Sequence, residues 1–450
     1  MKIKPNAYGF CGGAFGDEGK GRIVDEYVTK LAKKGPVVVY RDNGGANAGH
    51  TVSLLSGTIA LHQLPSGIFC KEAVVVLGKE MVIHPGDLVT ELSDVKKFSK
   101  EVELAKIYLD EMAILSLDTH RAFENVLKSW QDGGKGSTGR GIAPAYADVL
   151  LRHPLRVRDL KPFNSTKIEQ HYKLYDALIS GLGQKLAQVN VARLANVEGE
   201  PVGSLAVFVK RLMKQSEELA SVIANMSDFI QKTWNDPKCS FVFEKAQAIG
   251  LDYRWGVYPD VTASTTTFDG IQSATEGIID SDLIKVRAAV IKATYMSSVG
   301  TRQIPTMMSG KLANRIREDA NEYGATTKRP RDIAYLDLEA LRYYAKVGKV
   351  NAHVLTHMDI SYADTPIKVC VGYTIRGKKV SYRPDQEFLF KVKPVYKEFK
   401  PWDQRKIQAA KSYKEIPTTA KTFLKFVEKE LGTKIIMITT GPKRNQSIRL

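Results

Sequence analysis

Gly16-Asp17-Glu18-Gly19-Lys20-Gly21 lies between a short apolar stretch, Tyr8 to Cys11, and a segment where Ile23, Val24, Tyr27, Val28 and Leu31 recur at helical spacing. The passage reads as strand, glycine-rich loop, helix. Glycines at such a junction let backbone N–H groups close around phosphate oxygens, and the helix N-terminus adds a favourable field. Lys20 adds a positive point charge. The loop is not a Walker A sequence, because Ala14 stands where the first glycine belongs and Gly21 replaces the Ser/Thr that would hold Mg²⁺. Asp17 is then the obvious oxygen donor to a metal ion. Taken alone, an ordinary turn would explain the loop about as well.

Further strands are expected at Val37–Tyr40, Ala73–Leu77, Ala352–Thr356, Ile367–Gly372 and Ile435–Ile438. Strands alternating with helices argue for an α/β fold with a large, mostly parallel central sheet flanked by helices. Several of these strands run into loops rich in Gly, Asn, Asp or Thr, where ligands of an open α/β sheet sit. Residues 167–234 are polar and helical in period, and read as a helical subdomain within one domain spanning 1–450. No internal repeat or Pro/Ser-rich linker divides the chain.

The 450 residues are 43% hydrophobic and 26% charged, an ordinary globular balance. There is no apolar run of 18 residues to suggest a membrane span, and Met1-Lys2-Ile3-Lys4-Pro5 lacks the apolar region of a signal peptide. Four scattered cysteines, Cys11, Cys70, Cys239 and Cys370, form no Cys-x-x-Cys pair and suit a reducing compartment, so a cytoplasmic location is expected. Net charge is +17, and residues 371–450 hold 19 Lys and Arg against 7 Asp and Glu. Without aromatic interleaving or a nucleic-acid motif, a solvated basic face that attracts phosphorylated small molecules is the better reading.

Five more segments carry chemistry. Arg41-Asp42-Asn43-Gly44-Gly45-Ala46-Asn47-Ala48-Gly49-His50-Thr51 follows a strand, and its glycines, amides and histidine look like a site, with His50 suited to acid/base work. Ser137-Thr138-Gly139-Arg140-Gly141, with Arg152 beyond, suits a phosphate monoester. Gly324-Ala325-Thr326-Thr327-Lys328-Arg329-Pro330-Arg331 suits a carboxylate clamp, although in isolation a solvated basic loop explains it better. Asp359 closes Leu355-Thr356-His357-Met358-Asp359 and can accept two hydrogen bonds from the guanine N1–H and 2-amino edge. Thr439-Thr440-Gly441-Pro442 could wall a base pocket.

Taken together and in this order, these segments resemble adenylosuccinate synthetase. The resemblance rests on Gly16–Gly21, Gly44–Thr51, Thr138–Tyr146, Gly324–Arg331 and Thr440–Pro442, with weaker echoes at Leu61–Ile68, Tyr258–Thr262 and Leu336–Leu338. It implies joining of L-aspartate to IMP with GTP and Mg²⁺, through a 6-phosphoryl intermediate. The resemblance makes Asp17 the base at purine N1 and, with the Gly49 carbonyl, a Mg²⁺ ligand. It makes His50 the acid at the transferring γ-phosphoryl group, with Lys20 and Gln247 also catalytic. IMP would be held by Asp17, Asn47, Thr138, Gln247, Thr262, Arg329 and, from a partner subunit of a homodimer, Arg152. Aspartate would be held by Val299, Thr326, Thr327, Arg329 and Arg331. GTP would be held by Gly16, Glu18, Gly19, Lys20, Gly21, Gly49, Thr51, Arg331, His357, Asp359, Thr439, Thr440 and Gly441.

The sequence departs from the family at three places. His357 stands where a lysine stem usually packs on the purine, so weaker discrimination of GTP against ATP is expected. The loop Val299-Gly300-Thr301-Arg302-Gln303-Ile304-Pro305-Thr306 replaces a Gly-Pro-Phe-Pro run, leaving Arg302 either near substrate carboxylates or in solvent. Thr265 replaces an Asn. Two other readings remain: a related ligase using dGMP, ATP or both, and, more distantly, a non-catalytic GTP-binding regulator. Asp17 and Arg329 favour IMP, and a regulator leaves His50 and Gln247 unexplained.

Overall fold

Lys4–Gly12 forms the strand on which the architecture is built, with Ser240–Ala248 on one side and Ile284–Lys292 on the other, both parallel to it. The computed structural model describes residues 2–54, 57–99, 102–130, 137–300, 302–324, 330–443 and 445–450. The central sheet has ten strands, in the spatial order Ile223–Ala224, Lys106–Asp110, Ala73–Leu77, Val37–Arg41, Ser240–Ala248, Lys4–Gly12, Ile284–Lys292, Ala352–Thr356, Lys434–Thr439 and Ser447–Arg449. Every pairing is parallel except the last, where Ser447–Arg449 turns back on Lys434–Thr439. The carboxyl ends of the parallel strands therefore face one edge of the molecule, and the loops that begin after Gly12, Arg41, Thr356 and Thr439 emerge there.

The sheet is covered on both faces, which is why its strands read as apolar runs. Val37, Val39 and Val242 pack into one large cluster while Val38, Tyr40, Phe241 and Phe243 pack into the other, the two-residue alternation of a strand. Each such side chain, fully buried, contributes roughly 1.5–3 kcal/mol relative to exposure. On the first of these faces lies the helix Lys20–Ala32, which buries Ile23, Val24, Tyr27, Val28 and Leu31, with the Tyr27 ring 4.8 Å from that of Phe10.

Two strands beside Lys4–Gly12 were not among those expected. Ser240–Ala248 carries Glu244, Lys245 and Gln247, and Ile284–Lys292 carries Lys285, Arg287 and Lys292, so neither gives an apolar run. The expected strand at Ile367–Gly372 exists, as Ile367–Ile375, but outside the central sheet. It belongs to a second sheet with Tyr295–Ser298, Asp332–Asp337, Lys378–Val380 and Lys393–Phe399. Within 167–234 lie most of the helix Ser165–Gly181, the helix Leu205–Leu219 and most of Ser227–Asn235, together with a two-residue hairpin and the sheet-edge strand Ile223–Ala224. All four cysteines are buried and free. Among the described residues no helix is long and apolar enough to cross a membrane.

Candidate active site

The Gly-rich loop is held open from within. Glu18 is buried, and its Oε1 accepts hydrogen bonds from the backbone N–H of Gly16 at 2.8 Å and of Ala14 at 3.2 Å. The Glu18 carbonyl accepts from the Thr356 hydroxyl at 2.8 Å, tying the loop to the end of another strand. Gly19 caps the following helix in a left-handed conformation, φ 88°, with no side-chain cap, so the helix N–H groups are left for an incoming acceptor. A side chain at Gly21 would meet the Ser66 hydroxyl at 2.8 Å, which explains glycine in place of Ser/Thr. Lys20 is buried with its Nζ 3.7 Å from the Glu18 carboxylate. Asp17 is half-buried at φ 59°, a conformation costly for a residue other than glycine and typical of functional loops.

His50 opens the hairpin His50–Leu54 and Gly57–Leu61, separate from the central sheet. Its Nδ1 lies 2.5 Å from Glu244 Oε1, in the middle of the strand Ser240–Ala248. The Ser66 backbone N–H and hydroxyl donate to the same carboxylate at 2.7 and 2.6 Å. Burial pushes the Glu244 carboxyl up, but His50, Arg41 and Ser66 together hold it below its ordinary value. Burial also lowers the His50 imidazole to about 4 against the pull of Glu244, so it is neutral in the ligand-free protein. With Nδ1 committed, the buried Nε2 has no hydrogen-bond partner.

Three residues along the same strand, Gln247 takes a left-handed turn, φ 57°, as the chain leaves the sheet. Its Oε1 accepts from Ser264 at 3.4 Å, and its buried Nε2 has no partner. Asn43 bridges the Ala246 N–H at 2.9 Å and the Ser264 hydroxyl at 3.1 Å, locking the Arg41–Thr51 loop to this strand end. Beneath them Lys245 pairs with Asp42 in a buried ion pair.

A second polar cluster joins the end of Ile284–Lys292 to the phosphate loop. Arg331 Nη2 lies 3.0 Å from Asp17 and its Nη1 2.7 Å from Glu322. Glu322 also pairs with Lys292 and accepts from the Tyr295 hydroxyl at 2.6 Å. Burial acts against the Glu322 anion, but Lys292 and Arg331 hold its carboxyl well below the usual range. The same Tyr295 hydroxyl lies 3.3 Å from His357 Nδ1. His357 has φ 57°, and burial lowers its imidazole to about 4. Asp359 is half-buried and raised by burial, which its own backbone N–H, Gln408 and Arg22 oppose. Across from it the Thr439 hydroxyl accepts from the His357 N–H at 3.2 Å, the buried Thr440 hydroxyl has no partner, and the Gly441 carbonyl accepts from Arg22.

The other expected residues that the structure describes lie mostly in loops and turns. Asn47 and Gly49 lie half-buried in the Arg41–Thr51 loop, where the Asn47 side chain accepts from the Gly45 N–H at 3.2 Å; Thr51 is exposed on the hairpin. Thr262 is half-buried in the loop after Gln247, and its N–H donates to the Leu251 carbonyl. Thr138 is exposed just before Gly141, the left-handed N-cap of the helix Ile142–Leu150. Arg152 is exposed at φ 66° beyond that helix, next to Leu150 and Leu151, which are 84% and 66% exposed. Val299 is exposed, and its carbonyl accepts from Arg302 at 2.7 Å. Arg302 itself is not in solvent: it is buried 5.0 Å over the Phe15 ring and donates to the Asp260 carbonyl at 3.2 Å, because the Val299–Thr306 loop folds it under the phosphate loop. Thr326, Thr327 and Arg329 lie outside the described residues.

Sequence reasoning missed Glu244, Glu322, Lys292 and Tyr295. For Glu244 and Lys292 the available signal was charge inside strands that are otherwise largely apolar, since a buried ion needs a paired counterpart.

The profile of the adenylosuccinate synthetase family matches residues 10–448. The chain belongs to the adenylosuccinate synthetase family. It is 35% identical to adenylosuccinate synthetase of Caldicellulosiruptor bescii over 97% of both chains, and 34% identical to that of Clostridium perfringens over 99% of both. The fully ligated adenylosuccinate synthetase of Plasmodium falciparum superposes with a TM-score of 0.85 at 29% identity, over 99% of this chain and 100% of that one. Cyanophage S-2L succinoaminodeoxyadenylate synthetase, bound to dGMP and to dATP as an energy donor, shares the fold with a TM-score of 0.57 at 16% identity, over 100% of this chain and 96% of that one. The resemblance and the α/β architecture expected from sequence are both borne out. As a member of the adenylosuccinate synthetase family, the chain is a C–N bond-forming ligase of purine biosynthesis that joins IMP and aspartate.

Proposed function

We propose that the chain drives this ligation with GTP, through a 6-phosphoryl-IMP intermediate. Asp17 removes the N1 proton of IMP, and the O6 electron pair then attacks the γ-phosphorus of GTP, releasing GDP. His50 Nε2 donates to the transferring phosphoryl oxygens. The aspartate amine next attacks C6 and phosphate leaves, giving adenylosuccinate. The observation that carries this reading is the His50–Glu244 pair, one nitrogen fixed at 2.5 Å and the other buried and free. An imidazole lowered to about 4 gains a proton when a phosphate anion arrives, because a nearby negative charge favours the charged form.

Other assignments rest on separate supports. Gln247, with its unpartnered Nε2, suits the acceptor O6 of IMP, with Asn47, Thr138, Thr262 and Arg329 about the rest of that nucleotide. Asp17 and the Gly49 carbonyl supply hard oxygen donors beside the phosphate loop, which suits Mg²⁺; when bound it would neutralise phosphate charge. Arg331 now occupies Asp17, so substrate anions have to draw it away before Asp17 acts as a base. Val299, Thr326, Thr327, Arg329 and Arg331 take the aspartate. Lys20 and the N–H groups of Gly16–Gly21 take the phosphates, and Asp359 and the Thr439–Gly441 turn take guanine. The exposed Leu150 and Leu151 beside Arg152 support a homodimer in which Arg152 reaches the partner's IMP phosphate. The chain works as one domain with 167–234 as a helical excursion, in the cytoplasm.

Purified protein incubated with Mg²⁺, aspartate and each pairing of IMP or dGMP with GTP or ATP tests this directly by product mass. Succinylated IMP with GTP is expected, and product from dGMP or ATP alone overturns the substrate assignment. Asp17→Ala should lower kcat by at least about 10²-fold with Tm unchanged; retained turnover would put the base elsewhere.

A further inference from the structure

Arg302 stands where three loops of the site meet, although it is none of the proposed substrate contacts. Its guanidinium is buried. Nη1 donates to the Ser298 hydroxyl and, at 2.7 Å, to the Val299 carbonyl, and Nη2 donates to the Asp260 carbonyl at 3.2 Å. The Phe15 ring packs 5.0 Å away. Each neighbour lies at or next to a substrate-binding position. Val299 is a proposed aspartate contact, Asp260 precedes Thr262 of the IMP set by two residues, and Phe15 precedes Asp17 by two.

The chain is shaped to hold this charge. Gly300 has φ 112°, and a side chain there would crowd Arg302 Nη2 at 3.3 Å, so glycine lets the backbone turn tightly over the guanidinium. Burial opposes the charge on Arg302, and the neighbouring Asp260 carboxylate supports it. A second tie joins the same two loops. Gln386, which begins the helix Gln386–Lys391, accepts the Gln303 N–H at 2.9 Å and donates from Nε2 to Asp260 Oδ2 at 2.7 Å. A guanidinium carries its N–H donors in one rigid plane, so the acceptors it binds are fixed relative to one another as well as held close.

We propose that Arg302 is a positioning residue for aspartate binding, fixing the Val299–Thr306 loop against the Asp260–Thr262 turn with Phe15 as its floor. This role rests on the reading that Val299 takes aspartate. Arg302 acts through backbone carbonyls and adds no contact of its own to a substrate. A ligand that has to order its own loop loses that ordering entropy from its affinity, so cutting the tie weakens aspartate binding. The phosphate loop has separate ties, from Glu18 within it and from the Thr356 hydroxyl, so GTP binding is left intact.

Steady-state kinetics on full-length variants, with each substrate varied in turn, tests this. Arg302→Met fills the same berth without the donors, and KM for aspartate should rise roughly tenfold while KM for GTP stays within about twofold. Arg302→Lys keeps a charge and part of the hydrogen bonding, and should fall between Met and wild type. Gln386→Ala, which removes only the second tie, should raise KM for aspartate by about threefold. An aspartate KM unchanged in both Arg302→Met and Gln386→Ala overturns the proposal. So does a parallel rise of all three KM values with a lowered Tm, the mark of general loosening. Val299→Asp sets a like charge beside the aspartate carboxylates and separates this role from the reading beneath it. A raised aspartate KM there, with none in Arg302→Met, sinks the positioning role alone; no change in Val299→Asp sinks the assignment of the loop to aspartate. If Arg302→Met fails to fold, Arg302→Lys and Gln386→Ala decide it.

Discussion

His50 and His357 both stand at the carboxyl edge of the central sheet, and burial lowers both imidazoles to about 4, yet their surroundings differ in kind. His50 has its Nδ1 on an anion, Glu244, that is itself held by Ser66 and Arg41. His357 has its Nδ1 on a neutral hydroxyl, Tyr295, which donates instead to Glu322. A carboxylate behind an imidazole stabilises the proton that the ring gains during turnover, as well as fixing its tautomer. A phenol does only the second. The first pocket is therefore suited to hold a charge that appears in the transition state, and the second to present a shape to a base.

Removing the ring from the first pocket should have the largest effect. His50→Asn is expected to lower kcat roughly 10²–10⁴-fold with little change in Tm, read as adenylosuccinate formed per second. Glu244→Gln keeps the hydrogen bond and removes the charge. Because the protonated ring is the active form, activity falls as pH rises through its ligand-bound pKa. The anion raises that pKa, so its loss should move the alkaline limb of kcat down by about 1 pH unit. An unmoved limb would mean that His50 carries no proton in the rate-limiting step.

In the second pocket the comparison turns on donor choice. His357→Lys returns a long apolar stem with a charged head, which can cover a purine face and keep its charge in solvent. The kcat/KM ratio of GTP to ATP should rise roughly tenfold, about 1.4 kcal/mol. A ratio that stays put would assign base selection to Asp359 and the Thr439–Gly441 turn alone.

The two pockets also differ in how far sequence reveals them. The glycine loops, His50 and Asp359 are contiguous with strand ends that read as apolar runs, so their position on the edge follows from pattern alone. Glu244 and Glu322 are not adjacent to the histidines they serve; 194 residues separate Glu244 from His50. Their strands and turns look amphipathic because the charges that complete the site interrupt the apolar run. Ser240–Ala248 and Ile284–Lys292 were missed as central strands for the same reason. Arg302 is the converse case. Its sequence context left it either near substrate carboxylates or in solvent, and the structure excludes the second, because Phe15 and the carbonyls of Val299 and Asp260 give it a buried berth.

The smallest effect concerns stability and compares wild type with His357→Asn. The folded protein keeps His357 near 4 while the unfolded chain titrates near 6.5, so the unfolded state binds the extra proton first as pH falls. The stability from a neutral His357 is full above pH 6.5 and is lost toward pH 4. His50 and His353 act in the same direction, both lowered to about 4 by burial. Glu91, raised to about 7, and Asp337, raised to about 6, act oppositely: their burial penalty is relieved as pH falls. The wild-type curve between pH 7 and 5 is accordingly a small difference of opposed contributions, and only the variant comparison isolates one ring. One histidine shifted this far accounts for about 1–2 kcal/mol over that interval, or roughly 1–2 °C in Tm for a chain of this length. The Tm fall from pH 7 to 5 should be smaller by that amount in His357→Asn. An equal fall in both proteins would mean that the ring protonates freely in the folded state, and the pocket would then be no drier than the solvent it faces.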